Sequence, residues 1–131
     1  METKLVYNIL KYYRVFDWIH YLGYVLLSSI LVGDIKIINF VVAALLLAYA
    51  YSINDYYDKK IKKRYFLLPL ILYFITVPLL SYYSFLISLL FLILFALYSW
   101  PKVWFEGRPI ISTIANSIGF TLIFMLPLDN I

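Results

Sequence analysis

Apolar residues run through this chain in long blocks, and the polar segments between them are short and strongly charged. The blocks cover residues 16–32, 35–53, 65–80, 85–100 and 110–128. A helix that crosses a bilayer needs roughly 20 mostly apolar residues, with about 17–25 the usual range, so each block predicts a membrane helix. One helix over residues 65–98 would reach about 51 Å, well past a hydrocarbon core of about 30 Å, so a hairpin at residues 81–84 divides it. The two arms are slightly short, and Tyr82 and Tyr83 are expected to absorb the mismatch at the interface. Ahead of the first block, residues 5–13 place Lys4, Asn8 and Lys11 on one face, which predicts a short helix lying in the interface within a segment spanning 1–14. The expected fold is all-α: one domain over residues 1–131, a polytopic transmembrane helical bundle of about five membrane helices.

Composition turns that pattern into a statement about solvent. Apolar and aromatic residues make up 65% of the 131 residues and charged ones only 14%, and the mean hydropathy is +0.90. So small a soluble domain would have too little polar surface to cover itself, whereas lipid accepts outward-facing Leu, Ile and Phe. The 14 Tyr and 3 Trp suit the headgroup zone. With no Cys, disulfides and thiolate metal sites are excluded. No short apolar core precedes a small-residue cleavage site near the amino terminus, so a cleaved leader is not expected.

Charge then sets the orientation. Of 11 Lys and Arg, Lys36 alone lies on one side of the alternating spans; Lys4, Lys11, Arg14, the run from Lys59 to Arg64, Lys102 and Arg108 all fall on the other. Cytoplasmic loops collect such residues, so the amino terminus and the basic loops are expected inside and the carboxy terminus outside. The net charge of +4 is explained by topology and calls for no nucleic acid.

Candidate chemistry gathers at the inner end of the second span. Asp55 and Asp58 stand three apart, with Asn54 one turn from Asp58, and oxygen ligands at that spacing suit Mg²⁺, which takes one or two carboxylates together with water and phosphate. Five cations follow within residues 59–64, and acid beside base at a membrane surface points to a diphosphate. The same residues also fit a plain reading, acidic groups ending a membrane helix next to a basic loop. Asp17 and His20, three apart, are placed to pair. Asn116 sits mid-span beside Ser112, Thr113, Ser117 and Gly119, where an amide must find a partner inside the protein, either in helix packing or as cavity lining. Gly23 and Gly119 are read as close helix contacts. No phosphate-cradling glycine loop, nucleophile triad or zinc spacing is present.

The segment NDYYDKKIKKR, residues 54–64, resembles the first aspartate-rich motif of the UbiA superfamily of intramembrane prenyltransferases, NDxxD with a further Asp four residues on. The fourth span ends in LYSWPK, where Tyr98 and Lys102 resemble that family's YxxxK signature between its fourth and fifth helices. The resemblance implies a ring of nine helices around a lipid-lined cavity, with Mg²⁺ held by two aspartate-rich motifs binding an isoprenoid diphosphate. It also implies ionisation of that diphosphate, with attack on the allylic cation by a lipophilic acceptor, and cavity aromatics facing the cation. On this expectation Asn54, Asp55 and Asp58 hold the metal, Lys102 touches phosphate and Tyr98 positions the leaving group. Arg14 faces the phosphates or serves as a positive-inside anchor.

The chain departs from the family pattern in three places. Lys62 stands at the third acidic position and would put ammonium charge where a ligand is expected, and the arginine-proline stretch after the motif is missing. Five spans match only the first half of a nine-helix enzyme, and the sole Asp after Asp58 is Asp129, on the expected outer side. The expectation is a prenyltransferase homologue of incomplete catalytic equipment: half of a split enzyme, a truncated product, a degenerate lipid binder, or a subunit that completes its site by self-association. The alternative is a small non-catalytic polytopic membrane protein acting as a scaffold, partner subunit or transport component.

Overall fold

The computed structural model describes residues 2–103 and 105–130. It is all-helical, 84% helix, with no strand among the described residues. Helix α1, Glu2–Tyr12, opens on an acid and closes on Lys11, charges that suit its dipole, and buries none of its residues. The chain turns sharply at Arg14, whose φ of 52° lies in the left-handed region. The indole nitrogen of Trp18 fastens this turn by donating to the Tyr13 carbonyl at 2.7 Å. Helix α2, Val15–Trp18, a 3₁₀ turn at Ile19–Tyr21 and helix α3, Leu22–Val32, then form one apolar run of 18 residues. Gly33, at φ 77°, stops it: the amides of Gly33 and Asp34 return to the carbonyls of Ile30 and Ser29, a Schellman ending that favours glycine.

Helix α4, Ile37–Tyr57, is the longest, and its 21 residues reach about 32 Å, the thickness of a hydrocarbon core. It carries more buried residues than any other helix and packs against α3, α5 (Lys63–Thr76) and α6 (Tyr82–Ser99). Helix α7, Pro109–Met125, begins on a proline at its first position, where the missing N–H costs nothing, and lies against α6 and α3. Contacts from α3 to α4, α4 to α6, α6 to α7 and α7 back to α3 close a ring of four helices, with α5 applied to α4.

Several boundaries shift from the sequence expectation for local reasons. Helix α4 continues past residue 53 through Asn54 and Asp55, so the motif begins inside its last turn. Helix α6 starts at Tyr82 rather than 85, because the Ser81 hydroxyl caps it by accepting from the Ser84 amide at 3.1 Å. Helix α5 has only 14 residues, about 21 Å, since Pro78 tightens its end into a 3₁₀ turn and Lys63 and Arg64 charge its start. Among the described residues, three segments are long and apolar enough to cross a membrane: Val15–Val32, Ile37–Tyr57 and Tyr82–Ser99. Helix α7 is apolar and falls just short at 17 residues.

The end of the ring opposite the motif is tied by charge. Lys36 Nζ lies 3.3 Å from Asp129 Oδ2 and 3.4 Å from Asp34 Oδ2, joining the α3–α4 turn to the segment after α7. Gly119 sits where α7 meets α6 so closely that an added Cβ would stand 2.5 Å from the Phe95 ring, matching its reading as a close contact. Gly23 does not match: it is exposed and a Cβ there would meet nothing within 4 Å.

Candidate functional site

A cavity of about 410 Å³ opens between α4, α6 and α7 at the motif end of the ring. Helical periodicity builds its wall. On α4, Leu47, Ala50, Tyr51 and Asn54 recur at steps of three and four, with Asp58 one further turn on; α6 adds Phe91, Phe95 and Tyr98, and α7 adds Asn116 and Phe120. Leu47 and Asp58 are about 16 Å apart along the axis, so the space grades from an apolar floor of Leu47, Phe91, Phe95 and Phe120 to a polar mouth. Arg14 and Lys60 complete that mouth from outside the four helices of the ring.

Hydrogen bonds hold the polar belt. Ser99 Oγ donates to Asn54 Oδ1 at 3.4 Å, coupling the ends of α6 and α4. Asn116 Nδ2 donates to the Tyr98 hydroxyl at 3.4 Å, which lies 3.1 Å from Ser112 Oγ. The mid-span amide thus has a partner and also lines the cavity, meeting both readings its position left open.

Arg14 is the most constrained residue of the mouth. Its Nε donates to Asp17 Oδ2 at 2.8 Å, its Nη1 donates to Asp55 Oδ1 at 3.3 Å, and its guanidinium stands 4.9 Å over the Tyr51 ring. Burial works against its charge, but the Asp17 hydrogen bond and the Asp55 charge outweigh it and raise its pKa further. Asp17 is therefore committed to Arg14, while His20 packs its ring 4.0 Å from that of Tyr21.

Asp55 and Asp58 pair with different cations of the chain. Asp55, 5% exposed, turns into the protein toward Arg14. Asp58 terminates α4, and its carboxylate lies 3.8 Å from Lys60 Nζ at the exposed rim. The turn that follows Asp58 is a second Schellman ending, with the amides of Lys59 and Lys60 returning to the carbonyls of Tyr56 and Asp55. Its left-handed position is Lys59, at φ 60°, where glycine is usual. This turn folds Lys60 back over the cavity, a residue the sequence reading had not singled out.

Lys62 and Lys102 stand apart from the cavity wall. Lys62 is exposed at the start of α5 and makes no side-chain cap bond. Lys102 is exposed with its ammonium 5.8 Å over the Trp100 ring. Helix α6 ends at Ser99 and Pro101 follows, so Lys102 does not stack one helical turn above Tyr98.

An Mg²⁺ ion bridged by Asp55 and Asp58 does not fit this arrangement. Such an ion needs near-octahedral oxygen ligands, yet each carboxylate already holds a cation of the chain. Among the described residues, no three acidic, imidazole or thiol side chains are grouped to hold a metal.

Comparison of the chain with known protein families, curated proteins and solved structures finds no match to any of them.

Proposed function

We propose that this chain is an integral membrane protein of about five helical spans that binds an isoprenoid diphosphate, as a relative of the UbiA-type intramembrane prenyltransferases. On this reading the run Val15–Val32 and helices α4, α5, α6 and α7 are the spans, with α1 in the interface, the motif end facing the cytoplasm and the carboxy terminus outside. One observation carries it: Asn54 and Asp58 of the first motif and Tyr98 of the second, far apart in sequence, line one cavity with Arg14 and Asn116. That cavity has the polarity of an amphiphile. An anionic head suits the mouth, where Arg14 and Lys60 face Asn54, and a branched apolar tail suits the floor of Leu47, Ala50, Phe91, Phe95 and Phe120.

The residues present support binding more than turnover. They include no second aspartate-rich motif to neutralise a departing diphosphate. Transfer to a lipophilic acceptor is, on this reading, work shared with a second polypeptide or a second copy. The test is equilibrium binding of geranyl diphosphate to the purified protein in lipid nanodiscs, with and without divalent cation. Saturable binding, weakened by Asn54→Leu and by Phe95→Trp, is expected. Its absence under every condition overturns the reading and favours a non-catalytic scaffold or transport component.

A further inference from the structure

We propose that the headgroup end of the cavity is neutralised by cations of the chain itself: Arg14 and Lys60 hold the anion directly, and Asp55 is the buried counter-ion that positions Arg14 rather than a ligand for a metal ion. This rests on the diphosphate-binding reading and changes what that reading requires. Among the described residues, the charged side chains facing the cavity are Arg14, Lys60 and Asp58, two cations to one carboxylate. Asp55 is not among them; it approaches the Arg14 guanidinium from within the protein.

The donor count agrees with this division. An arginine offers five N–H groups. Asp17 takes the one on Nε and Asp55 one on Nη1, leaving three for an anion at the mouth. Tyr51 backs the guanidinium plane and fixes its tilt, which suits bidentate contact with a phosphate. Backbone conformation points to the same two cations. Arg14 and Lys59 are the non-glycine residues with positive φ among those described: one is the cation itself, and the other is the pivot that turns Lys60 over the cavity. Conformations of that kind are costly and persist where surrounding contacts impose them.

Asp55 and a metal ligand at the same position respond oppositely to one substitution. Removing the carboxylate charge as Asp55→Asn raises the positive potential at the mouth, so an anion binds more tightly. Removing a metal ligand loosens it.

The experiment is titration of geranyl diphosphate into the protein in phosphatidylcholine nanodiscs, once in EDTA and once in Mg²⁺, with inorganic diphosphate as the tail-less control. Dissociation constants in the two buffers should agree within about threefold. In EDTA, Asp55→Asn should tighten binding roughly three- to tenfold while lowering the melting temperature. A purely structural role for Asp55 would not produce that pairing of signs. Saturable binding seen only with Mg²⁺ overturns the inference and leaves the diphosphate reading standing; an unchanged or weakened constant for folded Asp55→Asn does the same. If that variant does not fold, the wild-type comparison between buffers decides alone. No binding in either buffer removes the diphosphate reading itself, and this inference with it.

Discussion

Arg14 Nη1 lies 3.3 Å from Asp55 Oδ1, joining the turn between α1 and α2 to the last turn of α4 across 41 positions of sequence. The Asp55 side chain keeps only 7% of its surface exposed, so the pair is a partly buried one and its two halves are unequal. Losing Arg14 strands a buried carboxylate, whereas losing Asp55 leaves Arg14 its contact with Asp17. Arg14→Ala should therefore cost about 2 kcal/mol, a figure discounted because the arginine is 37% exposed. Adding Asp55→Asn to that variant should recover most of the loss. A double-mutant cycle on unfolding in detergent measures this, and a strictly additive result would count against the pair as a coupled unit.

Lys59 holds a left-handed φ of 60° at the end of α4, in the place Gly33 occupies at the end of α3. The two turns share a hydrogen-bond pattern and differ in steric cost. Lys59→Gly should stabilise the fold by about 1 kcal/mol, and Gly33→Ala should destabilise it by a similar amount. Melting temperatures of the two variants in the same detergent check both signs.

These turns also show where sequence reasoning stopped. The apolar blocks located the helices because lipid-sized runs are legible one residue at a time. That Asn54 and Asp58 stand one turn apart followed from helical spacing, and that Asn116 needs a partner followed from its depth in a span. Spacing did not show that Asp55 and Asp58 would take different cations of the chain, and Lys102 falls beyond the end of α6, off the turn above Tyr98. Lys60 was invisible because the turn that aims it depends on a lysine in a conformation that a sequence signals with glycine. The Arg14–Asp55 contact is tertiary, and no local pattern encodes it. Helix α5 shows the reverse difficulty: its apolar run is continuous in sequence, and proline and charge shorten the helix within it.

Gly119 lets α7 approach Phe95, whose ring is part of the cavity wall. A methyl group there has two routes of relief: helix separation, or rotation of the ring into the cavity. The atoms it would meet are at the far end of the ring and open space lies beyond, so ring displacement is the easier route. Gly119→Ala should thus cost only about 1 kcal/mol in stability while shrinking the floor. Geranyl diphosphate affinity should fall about tenfold, with inorganic diphosphate affinity unaffected. Equal losses for both probes would place the tail elsewhere.

The Lys36 cluster gives a prediction in pH. Burial opposes the ammonium charge, but the hydrogen bonds and charges of Asp129 and Asp34 outweigh it and raise the pKa above the ordinary 10.5. A raised lysine pKa contributes stability that is complete below 10.5 and lost as pH climbs through the raised value. Melting temperature should hold steady on this account up to the ordinary lysine range and then fall, and the fall should be shallower in Lys36→Met. That variant should already be weaker at neutral pH by about 1 kcal/mol, because buried Asp129 Oδ1 has no hydrogen-bond partner among the described residues and Lys36 supports the other oxygen. Replacing both residues, Lys36→Met with Asp129→Asn, removes the stranded charge and should restore much of the neutral-pH loss while keeping the shallower alkaline slope. An alkaline slope identical in wild type and Lys36→Met would mean that the ion pair does not hold the α3–α4 turn against the segment after α7.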